Sequence, residues 1–226
     1  MYILALDTAT NSGGVAISRN QEVMGQIVLK TPLRYSDNLI LMIDFLLQRL
    51  ELDMSHINLL VGAAGPGSFT GLRIGLATLK GLGQPDDIPA LGISTLEAMA
   101  HRFLHHEMDV VPMFDARRQQ VYSAVYHPIG RRGLELRQGP VAMRPDQWLP
   151  LLDAGLSYLF VGDGSRQYRS AIEATHPTSK VIETDNQILE SLCILGFQKF
   201  AAGEARPVDD LKGIYVRPPD VRPPPG

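Results

Sequence analysis

The chain has 226 residues, a formal net charge of −3 and a single cysteine, Cys193. That length suits one large domain or two smaller lobes with a core of their own. The near-neutral charge excludes the basic footprint of a protein that grips nucleic acid unaided, and the lone cysteine excludes an intrachain disulfide and a cysteine zinc site. Residues 1–7 lack a basic region and meet an acid too early for a signal peptide. No apolar run reaches membrane-spanning length, so a cytoplasmic soluble protein is expected.

In chain order, residues 2–6 read as a strand. A polar, hydroxyl-rich turn follows, Asp7-Thr8-Ala9-Thr10-Asn11-Ser12-Gly13-Gly14, then strands at 15–17 and 23–29. The first pair forms a hairpin. Pro32 marks a loop before a helix over 37–50. Its polar stripe is narrow (Asp37, Asp44, Gln48, Glu51), with Asn38 and Arg49 interrupting elsewhere. The rest is apolar, Met42 and Phe45 included. Packing on one sheet needs an apolar stripe of only ~100° or somewhat more. The surplus means either deep burial within one chain or a face that covers another protein, and the helix that comes next favours the second.

Residues 59–64 form a buried strand leading into Gly65-Pro66-Gly67-Ser68-Phe69-Thr70-Gly71-Leu72-Arg73-Ile74-Gly75. This loop reads as a tight turn that uses glycine's backbone freedom rather than as an anion cradle. No lysine follows the glycines, so it is not a P-loop. Ser68 or Thr70 caps a helix over 71–82. Gly71, Gly75, Thr78 and Leu82 share one stripe, with Ala77 and Gly81 nearby. Each mid-helix glycine costs ~1 kcal/mol against alanine, so something packs very close here. Spacing alone leaves open whether that is the same domain or a second chain. On the second reading, Gly75→Glu would block association and leave the monomer folded. Arg73 opposes the helix dipole, which calls for an acidic group or a partner beside it.

A turn at 84–87 and a strand at 90–93 follow. Ser94 and Glu97 resemble a capping box for a helix reaching about residue 105. His101 and His105 stand at metal-ligand spacing with His106 adjacent, yet no His-Glu-x-x-His is present, and a polar helix end is the preferred reading. The opening pattern then recurs: a strand over 110–114, Asp115, a polar turn at 116–120 and a strand over 121–126. Asp7 and Asp115 hold the same place in two strand–turn–strand units. That suggests an internal duplication with a boundary near 106–109. Arg117 and Arg118 read as solvated turn arginines, with an anion contact at an interface as the alternative. A helix begins near Pro145, a strand spans 158–161, and a last helix covers 187–201 with Cys193 as a buried thiol. Residues 216–226 carry five prolines and read as an extended or disordered tail. No Gly-x-Ser-x-Gly elbow is present; Ser68 stands one place too early.

GPGSFTGLRIGLATLKGL at 65–82, together with ILALDTAT, RYSDNLILMIDFLL, GISTLEAMA, PMFDARRQQVYSAVY and IYVRPPDV in that family's order, resembles the bacterial TsaB (YeaZ) family over nearly the whole chain. The resemblance implies a two-lobed α/β fold of the actin-like ATPase (ASKHA) class with duplicated βββαβα-type lobes. These would be an N-terminal lobe at 1–106, a C-terminal lobe at 107–215 and a proline-rich tail at 216–226. It implies a noncatalytic subunit of tRNA threonylcarbamoyladenosine synthesis. Such a subunit binds and stabilises a catalytic paralogue, which transfers threonylcarbamoyl to N6 of the adenosine 3′ of the anticodon. A small ATPase joins the complex, a homodimer forms when the partner is absent, and tRNA is met only indirectly. The implied partner-binding residues are Asn38, Met42, Phe45, Arg73, Ile74, Gly75 and Thr78. No catalytic residue, metal or cofactor is implied, and any nucleotide belongs at the partner interface. The catalytic paralogue's two metal-binding histidines fall on Thr95 and Met99, which cannot replace them, and His101 and His105 are displaced along the helix. The chain departs from the family pattern at Tyr35, where His is common, and at Met42, where Pro is common. Ala9 stands where ATP-binding relatives of the fold often have Gly. The competing reading is a small ATPase or kinase using Asp7 and Asp115; a metallopeptidase lacks its ligands.

Overall fold

The computed structural model describes residues 1–30, 35–130 and 133–217, with the side chains of residues 35–37 left aside. The Pro32 loop, residues 218–226 of the tail and the Tyr35 side chain lie outside the described residues. The chain runs β1 (Tyr2–Asp7), β2 (Gly13–Arg19), β3 (Glu22–Leu29), α1 (Tyr35–Arg49), β4 (Ile57–Gly65), α2 (Phe69–Gly83), β5 (Ala90–Ser94) and α3 (Thr95–His101). It continues through β6 (Asp109–Asp115), β7 (Val121–Ile129), β8 (Gly133–Met143), α4 (Pro145–Trp148), β9 (Tyr158–Val161), α5 (Asp163–Gln167), α6 (Arg169–Thr175), β10 (Lys180–Ile182) and α7 (Leu189–Ala201).

Two five-stranded sheets result, ordered β3-β2-β1-β4-β5 and β10-β9-β6-β7-β8. They are the same sheet twice. In each, three strands pair antiparallel in sequence, and the first then pairs parallel with the fourth. The fifth pairs parallel with the fourth. The duplication suggested by Asp7 and Asp115 therefore extends to the whole topology. The central strands β1, β4, β6 and β9 are buried along almost their full length, as expected where helices cover both faces of a sheet.

Three apolar layers hold the fold. α1 and α2 cover the outer face of the first sheet through Leu39, Met42, Ile43, Leu46, Leu76 and Leu79. Trp148, Leu149 and Ile172 cover the outer face of the second. Between the sheets lies one continuous core that includes Leu96 and Met99 of α3 and Leu192 and Cys193 of α7. Burying such side chains is worth ~1.5–3 kcal/mol each, so this middle layer binds the lobes to one another.

The middle layer corrects the expected lobe boundaries. α7 follows the second sheet in sequence but packs on β1, β2, β4 and β5 of the first. Residues 206–211 also return there, with Arg206 bridging Ala90 and both Val208 and Leu211 in the outer core of the first sheet. The second lobe is therefore not the continuous stretch 107–215. α3 is displaced the opposite way, packing on β6, β7 and β8 as well as on its own sheet. The sequence reading also passed over β8, α5, α6 and β10. Among the described residues no helix is long and apolar enough to cross a membrane.

Candidate functional site

The two duplicated hairpin turns face one another across a cleft of roughly 360 Å³, lined by Thr10, Asn11, Ser68, Phe69, Asp115, Arg117, Asp163, Asn186 and Arg217 among others. At its first wall Asp7 is fully buried. Its carboxylate accepts from the amides of Ala9 (2.8 Å) and Thr10 (3.2 Å) and from the Thr10 hydroxyl (2.5 Å). At the second wall Asp115 accepts from the amide of Arg117 at 2.8 Å. In both hairpins the acid bonds the amide two residues on, so each closes its own turn. Neither extends into the cleft as a free acid.

Three more turn amides are committed as well. Ser12 N–H donates to Thr10 Oγ1 (3.3 Å), Ser68 N–H to the Ala9 carbonyl (2.9 Å) and Ala116 N–H to the Gln120 carbonyl (2.9 Å). The second turn carries three consecutive non-glycine residues at positive φ: Arg117 (62°), Arg118 (53°) and Gln119 (60°). Such a run is strained for residues with a Cβ. Between the walls, Asn11 Nδ2 donates to Asp163 Oδ2 (2.9 Å), Asn186 Nδ2 donates to Asn11 Oδ1 (3.1 Å), and the Asp115 amide donates to Asp163 Oδ1 (3.2 Å). This node joins residues 152 positions apart. Sequence reasoning saw Asn11 only as part of the first turn and gave Asp163, Asn186 and Arg217 no role in a site, because nothing local marks them.

Burial pushes the Asp7 carboxyl above its ordinary value, against the pull of the Thr10 hydroxyl and the two amides. As pH rises the unfolded chain gives up this proton first. From the ordinary value of 3.8 up to the raised folded value, the native state holds more protons. The contribution of Asp7 to stability therefore falls with rising pH through that window and stays low above it. Asp7→Asn keeps an acceptor for the amides and removes the buried charge. Its stability relative to wild type, from urea unfolding, should rise as pH increases from the ordinary value of 3.8 and level off once the folded carboxyl has ionised. A relative stability that fell over the same range would show that the hydrogen bonds outweigh burial.

The glycine segment forms the third wall. Ser68 caps α2, its Oγ accepting from Gly71 N–H at 3.2 Å. Gly71 and Gly75 lie against Thr8 of the first hairpin turn. A Cβ at Gly71 would collide with the Thr8 carbonyl oxygen, and one at Gly75 with Thr8 Oγ1. The Thr8 hydroxyl donates to the Gly71 carbonyl at 2.7 Å. The close neighbour required by the glycine stripe is therefore this chain's own turn, 63 residues upstream.

The expected partner-binding residues fall in three environments. Gly75 is buried against Thr8, and Met42, at 6% exposed, belongs to the outer core of the first sheet. Phe45 and Arg73 are exposed, while Asn38, Ile74 and Thr78 are half-buried. The outer side of α1 also presents Ile40 (53% exposed) and Leu41 (65%) beside Phe45 (49%). Within the chain Arg73 meets an aromatic ring, its guanidinium lying 5.6 Å from the centre of the Phe69 ring. Arg49 stacks likewise on Phe45 at 5.2 Å. Exposed pairs of this kind are worth ~0.5–1 kcal/mol.

Of the positions weighed for metal, Thr95, Met99 and His101 are interior, His106 is half-buried and His105 is exposed. Thr95 Oγ1 donates to the Pro66 carbonyl (2.5 Å), and Met99 is fully buried. His101 ends α3 as expected, but not as a solvated residue. It is buried, its Nδ1 lies 3.2 Å from Ser191 Oγ, and burial holds its ring below the usual imidazole value. α3 stops at His101, so His105 does not continue the same helical face. Ser94 does cap α3, accepting from Glu97 N–H at 3.4 Å, and the Glu97 carboxylate pairs with Lys199 at 3.1 Å. Cys193 is buried, and that burial pushes its thiol up to about 11.

A duplicated sheet-and-hairpin unit closing on a central cleft defines a two-lobed α/β protein of actin-like fold. A family model described as TsaD, tRNA N6-adenosine threonylcarbamoyltransferase, matches residues 30–200. A tRNA threonylcarbamoyladenosine biosynthesis protein TsaB from Bacillus subtilis strain 168 is 32% identical, with 96% of this chain and 94% of that protein covered. Its Escherichia coli K12 counterpart is 27% identical, over 96% and 95%. The solved structure of YeaZ from Pseudomonas aeruginosa superposes with a TM-score of 0.80 at 23% identity, covering 95% of this chain and 99% of that one. The chain belongs to the TsaB (YeaZ) family of tRNA threonylcarbamoyladenosine biosynthesis proteins.

Proposed function

We propose that the chain is a noncatalytic docking subunit. It binds and stabilises the paralogous threonylcarbamoyltransferase that modifies N6 of the adenosine 3′ of the anticodon. The observation that carries this reading is the exposed surface of α1 and α2, where Ile40, Leu41 and Phe45 stand exposed on the first helix and Phe69 and Arg73 on the second. A stable interface covers ~800 Å² on each partner and is anchored by aromatic and arginine side chains, which this face offers. The cleft supports the same reading from the other direction. A phosphate cradle needs free amides, and here the turn amides of Ala9, Thr10, Ser12, Ser68 and Arg117 are bonded within the chain. Without the paralogue, the same face pairs with a second copy. A small ATPase completes the assembly, any nucleotide sits at the partner interface, no metal or other cofactor is held, and the complex works in the cytoplasm.

Depleting the chain in its own cells should lower threonylcarbamoyladenosine in tRNAs that read codons beginning with A, as measured by mass spectrometry of digested tRNA. A rescue copy carrying Asp115→Asn should restore it, because an amide oxygen can still accept from Arg117 N–H. Unchanged modification after depletion would remove the pathway assignment. Rescue lost with a folded Asp115→Asn protein would favour the ATPase or kinase reading instead.

A further inference from the structure

The chain does not end at the first lobe's core. After Leu211, which is buried there, residues 212–217 cross the mouth of the cleft. Ile214 N–H donates to the Ala64 carbonyl at 2.6 Å. The Ile214 carbonyl oxygen lies 2.6 Å from where a Cβ on Gly65 would stand, an approach that only glycine admits at that place. One residue on, the Tyr215 ring lies 5.6 Å from the Phe69 ring at the start of α2. Two residues further, Arg217 Nη1 donates to Gln120 Oε1 at 2.8 Å. Gln120 closes the strained left-handed turn of the second lobe, its amide donating to the Arg117 carbonyl at 3.0 Å. One short segment thus touches the end of β4, the first residue of α2 and the opposite wall of the cleft.

We infer that residues 213–217 are a latch across the interlobe cleft, and that a partner seated on α2 releases it. The coupling rests on the docking reading above. Phe69 is the shared part: its ring carries Tyr215 and also the Arg73 guanidinium of the exposed side of α2. Phe69 and Tyr215 are each about half exposed, at 41% and 47%, so the latch is fastened by an open aromatic pair and two hydrogen bonds, Ile214 N–H on the Ala64 carbonyl and Arg217 on Gln120. A partner that packs on Phe69 and takes up Arg73 competes with Tyr215 for that ring. Once Tyr215 leaves, Arg217 loses its placement over Gln120, and the left-handed turn is free to relax. Occupation of the helix face and access to the cleft then become two readings of one equilibrium.

Hydrogen exchange on the full-length chain, with and without the purified catalytic paralogue from the same organism, tests this. Binding should slow exchange in peptides covering 40–45 and 69–78. It should speed exchange in peptides covering Ile214 and the turn at 116–120. Tyr215→Ala, without partner, should speed exchange at those same two places and tighten partner binding severalfold, since release no longer costs the complex affinity. Tyr215→Phe keeps the ring and should behave as wild type. If the partner protects 40–45 and 69–78 while Ile214 and the turn exchange as before, the latch is wrong and the docking reading stands. If the partner protects neither helix, the docking reading and its coupling both fall. The Tyr215→Ala arm then decides the latch alone, and unchanged exchange at 116–120 in that variant would overturn it.

Discussion

Gly75→Glu is expected to destabilise the isolated chain severely. A Cβ at this position collides with Thr8 Oγ1, and Thr8 cannot yield. It is buried, its hydroxyl bonds the Gly71 carbonyl, and its neighbours are fixed by the Asp7 carboxylate and by Ser68 N–H on the Ala9 carbonyl. Relief requires α2 to lift off the turn. Overpacking of this kind costs ~1–3 kcal/mol, and an unpaired carboxylate held out of water adds several more. At about 2–4 °C per kcal/mol for a chain of this size, Tm should fall by on the order of 10 °C or more. Gly81 supplies the control. It lies on the same helix, is exposed, and a Cβ there meets nothing within 4 Å. Gly81→Ala should therefore stabilise the chain by up to ~1 kcal/mol. A Gly75→Glu protein that melts with wild type would show that the packing of Thr8 on α2 is not what those glycines serve.

The second large effect belongs to the outer helix face. On the docking reading, Leu41→Glu combined with Phe45→Glu should weaken binding of the paralogue at least ~100-fold and leave Tm within a degree or two of wild type. Central interface anchors cost ~2 kcal/mol or more each when lost, and two of them exceed a hundredfold. Both side chains are exposed in the free chain, so their loss removes little core contact. Met42→Ala should do the reverse, because Met42 packs in the outer core of the first sheet. It should cost ~2–5 kcal/mol of stability and affect binding only through folding. Titration calorimetry and thermal melts on the same proteins separate the two. Full affinity in the Leu41, Phe45 double variant would place the partner elsewhere.

The hairpins were legible because their logic is local. An acid at the end of a strand bonding the amide two residues on is a short-range pattern, and it occurs at Asp7 and at Asp115. The Ser68 cap and the Ser94 cap were legible for the same reason. β8 was not. It is an edge strand with Glu135, Leu136 and Arg137 all exposed, so no apolar alternation marks it and Gly139-Pro140 reads as a break. α5 and α6, with five and seven residues, are too short to display a helical period.

The sequence by itself determined the duplicated strand–turn–strand plan, the two crowded helices and the family to which they belong. The first two are written in spacings of two to four residues that one element must satisfy alone; the third rests on the resemblance of six segments along the chain. Only the tertiary structure decided which side of those helices is free. Periodicity marks a face but not its neighbour, and Gly75 meets Thr8 only because β1 and β4 pair side by side. α1 is apolar nearly all round, so nothing but the sheet beneath it could separate the buried Met42 from the exposed Phe45. The cleft was likewise decided by folding. Asn11, Asp163 and Asn186 converge because α3 and α7 cross between the lobes and a shared apolar core fixes the two sheets against each other.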